Sequence, residues 1–297
     1  MRYGLSLPPF EQFADPGLLA RLARDAEEAG WDGFFLWDHM LSRNRETPIA
    51  DPWVALAAAA MTTHRIRLGT LITPVARRRP WKLARETVTV DRLSGGRVIL
   101  GVGLGTPPEW EYAAFGEDPD DRVRAQKLDE GLAILDGLWR GEPFAFAGKH
   151  FHLEPPITFL PRPVQTPRIP IWVAGNWPNK PPIRRAARWD GACPEAKEGR
   201  LSPDDWRDIL ALIREIRADE APFEAVHLDS LVHLPPRKAA DHIAAYGEAG
   251  VTWWIEYITP DAFGVPRYER WPDHVVEKMV ARLRQGPSAL GRRQGDV

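Results

Sequence analysis

Cysteine is almost absent from this sequence, and long apolar runs are missing altogether. Cys193 is the single cysteine among 297 residues, which excludes an internal disulfide framework and is typical of proteins in a reducing compartment. No apolar stretch reaches the ~20 residues that a membrane helix needs. The N-terminal segment also has no apolar region of the kind that a secretion signal carries. We therefore expect a cytoplasmic protein that does not enter a membrane.

A strong charge of either sign is missing too. The net charge is −2, with 44% hydrophobic and 27% charged residues, which is the balance of an ordinary globular protein. Without a basic surface there is no indication of a nucleic-acid partner, and we expect a small-molecule substrate. The motifs GxSxG and HExxH and any cysteine pair are absent as well, so a serine hydrolase is disfavoured and no metal site is predicted.

Strand-like and helix-like segments alternate along the chain. The apolar run at 33–39 is continuous, as in a parallel strand that is covered on both faces, and residues 251–258 form the last predicted strand. Asp-Pro pairs at 15–16 and 51–52 are typical of helix starts. About eight strand-then-helix units can be counted, the number that closes a (β/α)8 TIM barrel of the α/β class. A doubly wound open sheet is the alternative fold.

The domain organisation follows from where this alternation is interrupted. Residues 1–284 form one predicted domain, with an insertion at about 106–168, after the fourth strand, that contains one amphipathic helix. Residues 285–297 show no pattern of a packed element, and we expect an unpacked tail there.

In such barrels the working residues lie where strands end, so the strand exits supply the candidate site. Asp38 and His39 follow the second strand, the only exit that combines an acid with an imidazole. His39 is the candidate to handle a proton or to stabilise charge on a ring, with Asp38 positioning it or the ring. The alternative is that Asp38 caps the next segment and His39 is an ordinary rim residue.

The third to fifth exits suit a flat ligand with an anionic group. Leu71, Ile72 and Thr73 have no titratable group and form a predicted wall. After the fourth strand, glycines allow the backbone to approach a ligand, and an acid follows as a second candidate catalytic residue; these are Gly103, Gly105 and Glu109. Glu111 is a further acid in the same loop. Gly175 and Asn176 precede a helix and form a candidate phosphate site.

Four segments together resemble the luciferase-like monooxygenase family of flavin- and deazaflavin-dependent oxidoreductases. They are WDH at 37–39, RIRLGTLITP at 65–74, DRLSGGRVILGVGLG at 91–105 and RPVQTPRIPIWVAG at 162–175, in the family's order. The resemblance implies a barrel that binds FMN or the 8-hydroxy-5-deazaflavin coenzyme F(420) at its carboxyl face. It also implies a bulge with a cis peptide bond at Leu71–Ile72 behind the ring, and it places the phosphate near Gly175 and Asn176.

In the deazaflavin branch of the family an Asp-His pair faces the ring, which corresponds to Asp38 and His39. This likeness favours coenzyme F(420), with FMN as the alternative. The expected activity is two-electron oxidation or reduction, or monooxygenation, of a small organic substrate by a homodimer. Arg77, Arg78 and Arg79 are candidate cations for the coenzyme's acidic tail. A flavin-binding protein without turnover and a metal-dependent barrel hydrolase are the alternatives.

Overall fold

The computed structural model describes residues 1–217 and 221–291, and its centre is a closed barrel of eight parallel strands. Strands β1–β4 and β7–β10 form this barrel, while β5 and β6 form a separate antiparallel hairpin. The predicted TIM barrel is therefore confirmed, and the open sheet is excluded. The strands are β1 Arg2–Leu7, β2 Gly33–Leu36, β3 Arg67–Pro74, β4 Val98–Gly103, β5 Pro143–Ala147, β6 His152–Thr158, β7 Ile171–Trp177, β8 Gly191–Ala196, β9 Glu224–Asp229 and β10 Trp253–Tyr257.

Helices surround the barrel, and several start where the sequence carries an Asp-Pro pair. Asp15 and Asp51 each accept a backbone hydrogen bond at the start of the helix that follows, as N-cap residues do. The longer barrel helices bury one face against the strands. The helices are α1 Pro16–Glu28, α2 Pro52–Thr62, α3 Pro80–Ser94, α4 Pro108–Glu111, α5 Asp121–Trp139, α6 Lys180–Ala186, α7 Pro203–Ile216, α8 Pro236–Glu248 and α9 Asp273–Gln285.

The segment between β4 and β7 contains more structure than the sequence pattern indicated. Helix α5 packs against α3 and occupies the fourth helical position of the ring, so this part of the predicted insertion belongs to the barrel. The hairpin of β5 and β6 was not predicted, because its prolines and short strands interrupt the alternation that marks a strand. What is added to the barrel here is chiefly the hairpin and the short helix α4.

Large side chains fill the interior of the barrel. Phe35, Trp172 and Trp253 contact one another there, with ring centroids 5.2–6.1 Å apart. They are completely or almost completely buried. Because these rings close the lower part of the barrel, open space remains only toward the carboxyl ends of the strands.

The chain continues to pack after α9. Residues Pro287–Leu290 form a 3-10 helix against α8, and Pro287 and Leu290 are buried. The expected unpacked tail is thus not observed for residues 286–291, because two apolar side chains are buried where this segment packs against α8. Residues 292–297 lie outside the described part of the chain. No helix in the described ranges is long and apolar enough to cross a membrane.

Candidate active site

A cavity of about 510 Å³ opens at the carboxyl end of the barrel. Its wall contains residues at the ends of β3, β4, β7, β8, β9 and β10 and just after β2 and β4, so it collects the strand exits at which working residues were expected. The volume is within the range of pockets that bind cofactors and small ligands.

The β3 exit forms an apolar wall of this cavity. Leu71 and Ile72 line it, and the peptide bond between them is cis, as the family resemblance implied. The register of β3 against β4 shifts between Thr70 and Thr73, which is the expected bulge. Thr73 itself is turned away from the cavity: it is completely buried, donates to Thr70 and accepts from Trp53 Nε1 at 3.1 Å.

His39 lies in the wall and is held by a carboxylate from the α4 segment. Its Nδ1 is 2.7 Å from Glu111 Oε1, and the Glu111 side chain is completely buried. The Nε2 atom makes no hydrogen bond to any residue in the described ranges, and the ring retains 17% exposure. A carboxylate on Nδ1 fixes the ring orientation and leaves Nε2 as the nitrogen available to a ligand.

Asp38 is not the residue that orients His39. It is buried and pairs with two arginines that follow β3: Arg77 Nη2 lies 2.7 Å from Oδ1 and Arg78 Nη2 2.9 Å from Oδ2. Burial of Arg78 opposes the charge of its guanidinium, but the ion pair and hydrogen bond with Asp38 outweigh this and raise the pKa of Arg78. These two arginines are therefore not available to an acidic coenzyme tail, contrary to expectation. Arg79 is exposed, with its guanidinium above the Trp81 ring.

Of the two acids in the loop after β4, only one lines the cavity. Glu111 contacts His39, whereas Glu109 is exposed and absent from the lining. The reason is the short helix α4, in which residues two positions apart point to opposite sides, so Glu111 faces the cavity and Glu109 faces solvent. Gly103 and Gly105 line the cavity as expected, and Gly105 has φ +79°, a conformation that favours glycine.

The predicted phosphate site after β7 has fewer donors than expected. Gly175 and Asn176 line the cavity, but both belong to β7, which continues to Trp177. The following helix α6 has only seven residues and carries Pro181 and Pro182 in its first turn, where amide hydrogens would otherwise face an anion. A Cβ on Gly175 would lie 2.1 Å from Pro182 Cβ, so close packing of α6 explains this glycine.

Two polar residues on the far wall were not singled out from the sequence. Glu195 of β8 and Tyr257 of β10 line the cavity, and Tyr257 Oη donates to Glu195 Oε1 at 2.7 Å. Strand alternation carries the signal for both: Cys193 points into the barrel, so Glu195 does too, and Ile255 relates to Tyr257 in the same way.

No cluster for a metal ion is found in residues 1–217 and 221–291, where no three His, Cys, Asp or Glu side chains converge suitably. His150 and His152 belong to the hairpin region, away from the cavity lining. The site thus consists of an apolar wall, a His-carboxylate pair, a buried ion-pair group behind it and a second polar pair opposite. Such a set at a barrel's carboxyl end suits an oxidoreductase that relies on a bound ring for its chemistry.

Comparison with known proteins agrees with this class. The chain belongs to the luciferase-like monooxygenase family, whose model matches residues 1–222. It is 36% identical over 258 residues to the F420-dependent glucose-6-phosphate dehydrogenase of Beutenbergia cavernae. The aligned region covers 84% of this chain and 72% of that protein.

Two solved structures share the fold. One is an F420-dependent secondary alcohol dehydrogenase in complex with an F420-acetone adduct, with a TM-score of 0.72 at 19% identity, covering 86% of this chain and 93% of that one. The other is the oxygenating constituent of 3,6-diketocamphane monooxygenase from Pseudomonas putida in complex with FMN. Its TM-score is 0.64 at 20% identity, and the match covers 84% of this chain and 72% of that one.

Proposed function

We propose that this protein is a deazaflavin-dependent oxidoreductase that transfers a hydride between coenzyme F(420) and an alcohol carbon of a small organic substrate. The observation that carries the proposal is the His39–Glu111 pair, with Nδ1 of His39 held at 2.7 Å and its ring in the cavity wall. A positioned imidazole of this kind is what alcohol oxidation needs, because the hydroxyl proton must leave as the hydride does.

The cavity fits a planar ring. Leu71 and Ile72 form one apolar wall, and the Gly103 backbone lies beside Ile72, since a Cβ there would be 3.0 Å from Ile72 Cδ1. Ala174 of β7 continues this wall, so a flat ring meets aliphatic groups and backbone rather than charges. When bound, the deazaflavin ring would supply a two-electron hydride acceptor or donor.

The acid-base work falls to the chain's own residues. His39 Nε2 accepts the substrate's hydroxyl proton during oxidation and returns it during reduction, while Glu111 holds the other nitrogen and stabilises the charged imidazole. Behind them Arg77 lies with Nε 3.3 Å from Glu111 Oε2 and Nη2 2.7 Å from Asp38. Arg77 thereby places its positive charge between two buried carboxylates next to the cavity.

The anionic part of the coenzyme would be held near the start of α6. Asn176 and Asn179 line the cavity there, and both carry amide donors. Lys180 and Arg184 follow on the exposed side of α6 and pair with no acid in the described ranges. These two cations replace Arg77 and Arg78 as our candidates for the acidic tail.

A direct test compares two coenzymes. The purified protein is incubated separately with the deazaflavin coenzyme and with FMN, freed of unbound coenzyme by gel filtration, and examined by visible absorbance and by titration. We expect the deazaflavin to co-elute and to bind more tightly. Secondary alcohols should then bleach its visible band without oxygen. Binding of FMN alone, or bleaching that requires oxygen, would contradict the proposal.

A variant pair locates the tail. Lys180→Gln combined with Arg184→Gln should weaken deazaflavin binding at low salt more than FMN binding, because the deazaflavin has the longer acidic tail and salt screens such contacts. Arg237→Gln combined with Lys238→Gln is the matched control, since these exposed cations occupy the first turn of α8. Equal losses in both double variants would place the tail elsewhere.

A further inference from the structure

A polar pair at the mouth of the cavity takes no part in the proposed hydride transfer. Tyr257 donates its hydroxyl hydrogen to Glu195 at 2.7 Å. Burial, together with the Glu195 carboxylate, raises the pKa of Tyr257 well above its usual range, so the phenol keeps its proton. Because that hydrogen is already donated, the pair presents only oxygen lone pairs and a negative charge to a ligand.

The arginines of the cavity lining do not neutralise Glu195. Each of the three is already engaged: Arg124 with the carbonyl oxygens of Leu104 and Gly105, Arg185 with both carboxylate oxygens of Asp129 at 2.7 and 2.9 Å, and Arg267 with Asp261 at 3.1 and 2.9 Å. Glu195 makes no ion pair with a lysine or arginine in residues 1–217 and 221–291. The mouth of the cavity therefore carries an unpaired anion.

Trp37 separates this pair from the reacting centre. Its ring centroid lies 5.8 Å from that of His39 and 5.8 Å from that of Tyr257. The Arg267 guanidinium, which is paired with Asp261, lies 5.0 Å from the Trp37 ring centroid, so one face of this ring is already occupied by a cation of the protein. Two aromatic rings beside an unpaired carboxylate form a surrounding that attracts an organic cation.

We propose that the substrate is an amino alcohol, or the matching amino ketone, whose protonated amine binds Glu195, Tyr257 and Trp37. The ammonium group donates to the oxygen atoms of Glu195 and Tyr257. The carbinol carbon lies next to His39, on the other side of the Trp37 ring. The assignment of the reacting carbon rests on the proposed function. The binding of the ammonium group does not, and it excludes an anionic group at this end of the substrate.

Three small secondary alcohols of similar size test the proposal by ligand-observed NMR titration on the full-length protein. They are 1-amino-2-propanol, propane-1,2-diol and lactate, which carry a positive, a neutral and a negative end group. We expect the amine to bind about fivefold more tightly than the diol, the scale of a partly exposed charge contact, and lactate to bind least. Equal binding of amine and diol would overturn the proposal.

Glu195→Gln should abolish the preference for the amine while leaving binding of the diol nearly unchanged. Glu198→Gln is the control, because Glu198 is an exposed acid three residues further on and outside the cavity lining. A preference that survives in Glu195→Gln would overturn the proposal. Repeating the titrations with the deazaflavin coenzyme present separates the two ideas: an amine preference that depends on Glu195 supports this site whether or not the coenzyme binds.

Discussion

Buried charges are found at both ends of the barrel, and they are used differently. At the amino end, Arg97 directs all five of its N–H donors to oxygens of Ala60, Thr63, Ile66 and Ser94. At the carboxyl end, Arg77 Nη1 is buried without a hydrogen bond, while Arg77 Nε and Glu111 Oε2 face each other as an ion pair at 3.3 Å. The amino-end charge stabilises loops, whereas the carboxyl-end group pairs charges beside the cavity and keeps one donor of Arg77 unused.

Two buried acids at the amino end are satisfied by hydrogen bonds in the same way as Arg97. Glu27 accepts the backbone N–H groups of residues 64–66; although burial opposes ionisation, these bonds lower the pKa of Glu27. Asp91 accepts from the backbone of Val164 and the side chain of Gln165, and so fastens the end of the β5–β6 region to α3. Hydrogen bonds to backbone leave these groups no capacity for a ligand, which is why the amino end is structural.

The largest difference between variants at the two ends of the barrel should be in turnover. His39→Ala should lower the rate of coenzyme reduction by ~10²–10⁴, the usual value of a positioned acid or base. The unfolding free energy should change little, since the ring packs at the cavity rim. His64→Ala, which removes an exposed histidine at the amino end, is the control for both measurements. Comparable rates in wild type and His39→Ala would remove His39 from the mechanism.

The converse variant is at the amino end. Arg97→Met should lower the free energy of unfolding by ~3 kcal/mol, because several buried carbonyl oxygens lose their only side-chain donor. Coenzyme affinity per folded molecule should be unchanged. Urea denaturation measures the first and titration the second, with Arg92→Met, an exposed arginine on α3, as the control. A loss of coenzyme binding without loss of stability would break the distinction between the two ends.

A pH-dependent effect on stability should come from His227, which lies at neither end. It is buried between β9 and the helices, accepts from Trp206 Nε1 at 3.0 Å and stacks on Tyr246. Burial lowers its pKa from 6.5 to about 3, so the folded protein binds no proton there while the unfolded chain does. Its contribution is therefore complete above pH 6.5 and is lost as the pH falls toward 3, by about 1.4 kcal/mol per pH unit.

His227→Asn keeps an acceptor for Trp206 but cannot titrate. We expect a shallower decline of the unfolding free energy between pH 6.5 and 4.5 in this variant than in wild type, by about one proton. Burial raises the pKa of Asp229 and so acts in the opposite direction, which is why the variant and wild type must be compared at each pH. Equal slopes would show that His227 becomes protonated in the folded state.

Elements with a strong local pattern could be predicted from the sequence, and loops that depend on distant contacts could not. The helices that begin at Pro16 and Pro52 were predicted to the residue, and the apolar run predicted at 33–39 contains β2, which ends at Leu36. The hairpin of β5 and β6 was missed, because antiparallel pairing between short strands rich in proline leaves no periodic pattern.

The candidate site divides in the same way. Strand exits placed His39, Ile72 and Gly103 at the cavity, since the carboxyl ends of parallel strands must meet. Glu109 was predicted from the sequence as the candidate catalytic acid, whereas Glu111 is the residue that contacts His39; the two differ only in which side of one short helical turn they occupy. Arg77 and Arg78 were expected to face a ligand, but both form ion pairs with Asp38 instead.

What the sequence by itself determined is the alternation of strands and helices from which the barrel is built and the strand exits that carry the candidate site residues, because apolar periodicity and Asp-Pro helix starts are local properties. Only the tertiary structure decided which charged side chains are neutralised in ion pairs and which are not. Asp38, Arg77 and Glu195 are all charged residues near strand exits, and nothing in their neighbours along the chain distinguishes them. Across the barrel, Arg77 pairs with Asp38, while Glu195 accepts from Tyr257 and forms no ion pair with a lysine or arginine in the described part of the chain. Which carboxylate stays unpaired thus depends on contacts between residues far apart in sequence.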